Sequence, residues 1–227
     1  MHAALAVLHW SPDPVAFEVG PVSVRWYGMI VWSACLAAFW VILRVYRREG
    51  RDTADVETLL VTTILGTIVG ARLVHCLAYE PDRYLVDPVA ILKVWEGGLA
   101  SHGGMLGILV ALWWHARRRP DQPFLWLTDR IAMAAVLGGA LVRVGNFMNS
   151  EIIGTPTDVP WAVVFEARDH LPRHPAQLYE AAVYLAVFAV LAVRYRRLGA
   201  ATPRGHLVGL LLALAFTARI AVETVKT

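Results

Sequence analysis

The sequence predicts an all-α polytopic membrane protein with six transmembrane helices, a small outward-facing cap loop and an N-terminal interfacial segment. Three features predict it. Six apolar runs are each long enough to cross a bilayer, which takes roughly 20 helical residues for about 30 Å of hydrocarbon. Arginines crowd into alternate connections between those runs. The composition, 57% hydrophobic and 17% charged with a mean hydropathy of +0.52, is too apolar for a soluble domain that covers one core. Residues 1–227 are expected to form one transmembrane domain that includes the cap at 143–174.

The runs lie at Val22 to Val45, Val56 to Tyr79, Ile91 to Ala116, Phe124 to Val142, Pro175 to Val193 and Gly205 to Val225. Arg44, Arg47, Arg48 and Arg51 follow the first run, Arg117, Arg118 and Arg119 the third, and Arg194, Arg196, Arg197 and Arg204 the fifth. Cationic loops stay on the cytoplasmic side, so the N-terminus, the Glu80 to Ile91 loop, the Arg143 to His174 loop and Thr227 are expected outside. The net charge is +3, and all but Lys93 and Lys226 of the 21 basic residues are arginine. That clustering reports topology, and no nucleic-acid partner is expected, since one would need a soluble basic face. Met1 to Trp10 lacks the positive start of a cleavable signal peptide. Cys35 and Cys76 sit inside apolar runs, where a thiol is a small packing residue and implies neither a disulfide framework nor a metal cluster.

Ahead of the first run, Trp10 to Gly28 alternates apolar and polar residues between turn-formers. It reads as a short extended or hairpin element at the outer interface, and Arg25, Trp26 and Tyr27 lead from it into the membrane. Helical rise then sorts the ionisable residues by depth. At about 1.5 Å per residue, Arg72 and Arg219 lie roughly 24 and 21 Å above the inner ends of their runs, while His102 and Glu180 lie roughly 12 to 16 and 7 Å below the outer ends of theirs. Arg143 closes the fourth run at its outer edge. Charge inside a membrane faces partners or water, so these five residues imply a polar cavity that opens to the outer leaflet. Asp129 and Arg130, near the inner end, read as a structural pair or a snorkelling arginine with its neighbour.

Glu96-Gly-Gly-Leu-Ala-Ser-His102-Gly-Gly-Met-Leu-Gly107 puts five glycines into the third run. They suit a close-packed helix seam with His102 bonded to a backbone carbonyl, or a site in which His102 serves as a general base, its pKa being nearest to working pH. Arg219 and Glu223 fall on one face of the sixth run, as a salt bridge or a functional pair. Arg143-Val-Gly-Asn-Phe-Met-Asn-Ser-Glu-Ile-Ile-Gly154 gathers an arginine, two amides and a carboxylate where an apolar run ends. It is either a helix end with a solvated turn or a set of donors and acceptors at the depth of lipid phosphates. Arg173-His-Pro-Ala-Gln-Leu-Tyr-Glu180 closes the outer loop, with Pro175 suited to a first helical turn. Some thirty residues between Arg143 and Pro175 suffice for a small cap but not for a separate domain.

Taken in sequence order, these residues resemble the bacterial prolipoprotein diacylglyceryl transferase family. The resemblance rests on Asp13-Pro-Val with Arg25-Trp-Tyr-Gly28, Gly70-Ala-Arg-Leu73, Glu96-Gly-Gly with His102-Gly-Gly, the Arg143 to Glu151 segment with Gly154, Arg173 to Glu180, and Arg219 with Glu223. It covers nearly the whole chain. It implies a monomeric enzyme of the bacterial inner membrane, embedded in the lipid bilayer, with its active site toward the periplasm. The enzyme would take the diacylglyceryl group from phosphatidylglycerol, join it to the lipobox cysteine thiol beside a prolipoprotein signal peptide, and release glycerol phosphate. It implies His102 as base for the thiol and Arg143 with Arg219 as the pair around the lipid phosphate. Tyr27, Asn146, Glu151 and Gly154 come with them as site residues, and Arg72, Asn149, Glu180 and Glu223 join as substrate-binding candidates. No metal and no cofactor is expected. Two departures stand out: family members continue into a seventh span, whereas this chain ends at Thr227, and Ala215 stands where the family favours a tyrosine. They leave open a diverged paralogue that serves another acceptor, or a lipid-binding membrane protein without turnover.

Overall fold

The computed structural model describes residues 8–226, so the readings made of residues 1–7 and of Thr227 fall outside it. The chain divides into two compact units, one from Leu43–Thr128 and the other from the residues on either side of that segment.

In chain order, β1 (Leu8–Trp10) precedes the antiparallel hairpin of β2 (Val15–Val19) and β3 (Val22–Arg25). Gly20, at φ 58°, makes its turn, and this is the hairpin read from the alternation of residues 10–28. Helix α1 (Trp26–Arg48) therefore starts four residues later than the apolar run, because Val22 to Arg25 pair as a strand. The other long helices are α2 (Ala54–Val74), α4 (Ser101–Arg118), α5 (Phe124–Met148), α6 (Ala176–Leu198) and α7 (His206–Glu223), with the short α3 (Pro81–Val86) between α2 and α4. Four helical stretches are long and apolar enough to cross a membrane: Trp26–Arg48, Ala54–Tyr79, Phe124–Met148 and Ala176–Ala201.

The third apolar run departs from the expectation of a helix from Ile91. Pro88–Leu92 and Val94–Glu96 form tight 3-10 turns, Gly97 and Gly98 take φ of 89° and 74°, and α4 begins only at Ser101. Left-handed backbone stops a helix, and glycine adopts it without steric penalty. The fourth run departs the other way: α5 continues to Met148, so Arg143 and Asn146 stand on its last turns.

In the unit from Leu43–Thr128, α2 and α4 meet backbone to backbone. A β-carbon on Gly66 would come 2.7 Å from Gly107 O, and one on Gly70 would come 2.8 Å from Gly107 Cα. Gly66, Gly70, Gly103 and Gly107, spaced four apart on each helix, permit that approach, as small residues do between membrane helices. At its other end Gln122 accepts from Tyr46 Oη (2.6 Å), donates to Asp55 Oδ2 (2.6 Å) and lies 3.3 Å from His115 Nε2. Asp55 also pairs with Arg119 at 2.6 Å. These contacts fasten the end of α1, the start of α2 and the end of α4 with buried polar groups that satisfy one another.

In the other unit, β4 (Val163–Phe165) pairs in parallel with β1 and antiparallel with β5 (Pro172–Arg173). Phe147, Val163 and Phe165 form a small buried core beneath this sheet, and Trp10 lays its ring 4.5 Å from Phe147 while donating Nε1 to the Phe147 carbonyl at 3.0 Å. The sheet roofs the end of α5. Asp129, fully buried, accepts from the backbone amides of Gly205 (2.7 Å) and Val208 (2.9 Å). It thus caps the N-terminus of α7 from another helix, where amides lack partners and a negative charge is favoured. Its distance to Arg130 is 3.9 Å, so capping rather than pairing is its closer engagement.

Candidate functional site

The end of α5 and the turn after it build one network. Arg143 directs Nε at Glu180 Oε2, 2.9 Å away, and donates Nη1 to Asn146 Oδ1 at 3.3 Å. Glu180 Oε2 accepts no hydrogen bond among the described residues, so that contact is one of charge. Asn146 donates Nδ2 to Glu151 Oε2 (3.1 Å), and Asn149 donates its own to Glu151 Oε1 (3.3 Å). Gln177, one helical turn before Glu180 on α6, donates Nε2 to the Glu151 carbonyl at 2.6 Å. Ser150 and Ile152, on either side of Glu151, hold φ of 53° and 54°. That region is unfavourable for side chains, most of all for a β-branched one, and such strain persists where surrounding bonds over-determine the backbone. Arg168 helps by donating Nε to the Ser150 carbonyl at 2.7 Å.

Glu180 is 3% exposed and carries a second cation, with Lys226 Nζ 3.4 Å from Oε1. Two cations therefore flank this one buried carboxylate. Among the described residues Arg143 Nη2 meets no protein acceptor, so part of the guanidinium fork is uncommitted.

Gly154 donates its amide to the His174 carbonyl (3.0 Å) and accepts from Arg173 Nη1 (3.0 Å). A β-carbon there would sit 2.7 Å from the Val225 carbonyl. The cap, the start of α6 and the end of α7 therefore cross at a point where only glycine fits. Arg173 also grips Asp169 through Nε (3.1 and 3.0 Å) and Nη2 (2.6 Å). The Arg173 hydrogen bond holds the Asp169 carboxyl below its ordinary pKa. Tyr27 packs its ring where a β-carbon on Gly145 would come within 3.0 Å, which explains glycine at that position of the motif.

Arg219 and Glu223 pair loosely at 3.9 Å with side chains 48% and 61% exposed, and a pair that open contributes little. Among the described residues they share no bond with the Arg143 network. The link is indirect: Thr155 donates to the Val225 carbonyl (3.0 Å) and Lys226 reaches Glu180, so the end of α7 is fastened beside Arg143.

His102 and Arg72 belong to the Leu43–Thr128 unit. His102 is exposed at the second position of α4 and forms no hydrogen bond among the described residues, while Gly103 and Gly107 beside it do form the close-packed seam. Arg72 is 3% exposed and spends all five donors on backbone carbonyls. Nε bonds Ile91 (2.9 Å), Nη2 bonds Ala90 (2.6 Å) and Lys93 (3.1 Å), and Nη1 bonds Gly97 and, at 3.2 Å, Gly98. Its guanidinium also lies 5.0 Å from the Tyr84 ring. In this arrangement Arg72 shapes the loop that leads into α4.

Sequence reasoning passed over Gln177 and Lys226. The first had a signal, since it falls on the same helix face as Glu180 one turn earlier; the second had none.

The family model for prolipoprotein diacylglyceryl transferase matches residues 14–227. A protein of Tolumonas auensis named phosphatidylglycerol–prolipoprotein diacylglyceryl transferase is 50% identical over 97% of this chain and 85% of its own length. Proteins of the same name from Chloroherpeton thalassium and Porphyromonas gingivalis are 46% and 40% identical, each over 97% of this chain and 82% of their own length. The chain belongs to the prolipoprotein diacylglyceryl transferase family.

Proposed function

We propose that this membrane protein transfers the diacylglyceryl group of phosphatidylglycerol to the lipobox cysteine thiol of a prolipoprotein. The observation that carries the reading is the partly exposed Arg143, steadied by Glu180 and Asn146 with part of its fork unspent among the described residues. In the reaction a carbon–sulfur bond forms as the glyceryl carbon–oxygen bond breaks. The phosphate oxygen keeps the electron pair and leaves as glycerol phosphate. Guanidinium forks answer that growing negative charge bidentately, and in a water-poor site they do so at greater strength than in water. Arg143 holds the phosphate and Arg219 is its second cation. A thiol of ordinary pKa, about 8.5, is mostly protonated at neutral pH, so a base must take its proton. His102, without a hydrogen-bond partner among the described residues, is that base. Glu151 fixes Asn146 and Asn149 from below, and Tyr27 closes over Gly145.

The reading places the chain in the bacterial inner membrane as a monomer, with six spans that count α4 and α7 along with the four longer helices, and the cap on the periplasmic side. Purified protein in phosphatidylglycerol nanodiscs with a lipobox peptide tests it. Thioether-linked peptide is the expected product. Glycerol phosphate release without peptide modification would indicate a different acceptor, and retained lipid with neither product would indicate a binding protein.

A further inference from the structure

The amides of Gln177 and Asn149 each have their orientation fixed by the partner of their nitrogen. Gln177 Nε2 meets a backbone carbonyl and Asn149 Nδ2 meets a carboxylate oxygen, acceptors that cannot donate, so in both residues the amide oxygen faces the other way. Gln177 Oε1 and Asn149 Oδ1 are buried and have no donor among the described residues. Gln177 itself is 0% exposed. Folds seldom leave a buried acceptor unpaired, and here two of them flank the same residue, Glu151. Both belong to the network that runs through Asn146 to Arg143. One end of that network offers a cation, the other offers two acceptors.

We infer that Gln177 Oε1 and Asn149 Oδ1 accept hydrogen bonds from the hydroxyls of the headgroup that departs with the phosphate, so that the site selects a polyol headgroup. The inference rests on the reading that the lipid phosphate lies at Arg143. A headgroup glycerol carries two hydroxyls a few atoms from its phosphorus, and the two acceptors belong to the same network as the arginine. A headgroup without them leaves both oxygens unpaired after water is expelled, which is how buried polar sites discriminate strongly. The acceptor peptide is the other possible source of donors, through its backbone N–H groups, and the test separates the two.

Wild-type protein is offered phosphatidylglycerol or phosphatidylpropanol, which keeps the phosphodiester and lacks free hydroxyls. Transfer to a lipobox peptide and lipid retention by native mass spectrometry are both measured. The expected result is kcat/KM lower by about 10-fold or more for phosphatidylpropanol, with weaker retention. Gln177→Met, similar in length but without the carbonyl, brings the ratio of the two lipids toward one and leaves the peptide KM unchanged. Equal use and equal retention of the two lipids by the wild type overturn the inference, and that comparison needs no variant to fold. A Gln177→Met protein with a raised peptide KM and an unaltered lipid ratio also overturns it. Selective retention of phosphatidylglycerol without peptide product supports the headgroup assignment while refuting the transferase reading.

Discussion

Replacing Arg72 by Met distinguishes a residue that builds the site from one that touches the lipid. All five guanidinium donors end on carbonyls of the 90–98 segment, and the bond to Ala90 is fully buried. Hydrogen bonds to charged groups contribute about 1.5–3 kcal/mol each, but the half-exposed carbonyls recover much of that by binding water. One bond lost outright and four lost in part, with the contact over Tyr84, come to roughly 3–5 kcal/mol. For a chain of this size that corresponds to a fall in Tm of roughly 6–20 °C. Thermal unfolding in detergent measures the fall, and hydrogen exchange measures where it originates, which should be the amides of residues 90–100. Transfer should lose kcat while the KM for phosphatidylglycerol stays near its original value, because the loop into α4 is displaced but the phosphate contacts remain. A Tm within about 2 °C of wild type, unaltered exchange and a raised lipid KM would refute this reasoning and return Arg72 to the lipid.

Gly107→Ala should destabilise by about 3 kcal/mol or more, since its β-carbon would fall 2.7 Å from the Gly66 carbonyl carbon, whereas Gly104→Ala, whose nearest neighbour would be Thr67 Cγ2 at 3.3 Å, should be tolerated; comparative thermal unfolding decides. Arg143→Ala and Arg219→Ala should each abolish transfer while the protein stays folded, and wild-type-like turnover in either removes the assignment of that arginine. His102→Gln should slow transfer and flatten its pH dependence, and an unchanged pH–rate profile excludes the base role. Asp169 has a depressed carboxyl pKa in the folded cap, so its contribution is present above its unfolded value of about 3.9 and is lost as pH falls through the folded value. Cap proteolysis should therefore accelerate only at strongly acid pH in the wild type, and Asp169→Asn should show the fast rate already at pH 7.

The helices, the hairpin at 15–25 and the 143–154 motif were legible because their signals are local: apolar length, alternation, and polar residues where an apolar run stops. The late start of α4 was half-visible, since Gly97 and Gly98 stood in the run but their left-handed backbone could not be told from helix-seam glycines. The sheet of β1, β4 and β5 was not legible, because Leu8 finds Val163 through a pairing that no short window contains. The role of Arg72 was hidden for a related reason: an intramembrane arginine announces a partner, and nothing in its sequence says that the partner is backbone. Gln177 lay within a recognised motif, yet its importance follows from an unpaired oxygen, and pairing is a property of the folded chain.

The glycine contact between α2 and α4 brings the two backbones together, with only short side chains such as Thr67, Ala71, Val74 and Ala111 around it. The two helices therefore travel as one lever, and His102 at the head of α4 goes wherever α2 goes. An environment-sensitive fluorophore on Val69, on the exposed side of α2, would follow that lever during turnover without intruding on the histidine.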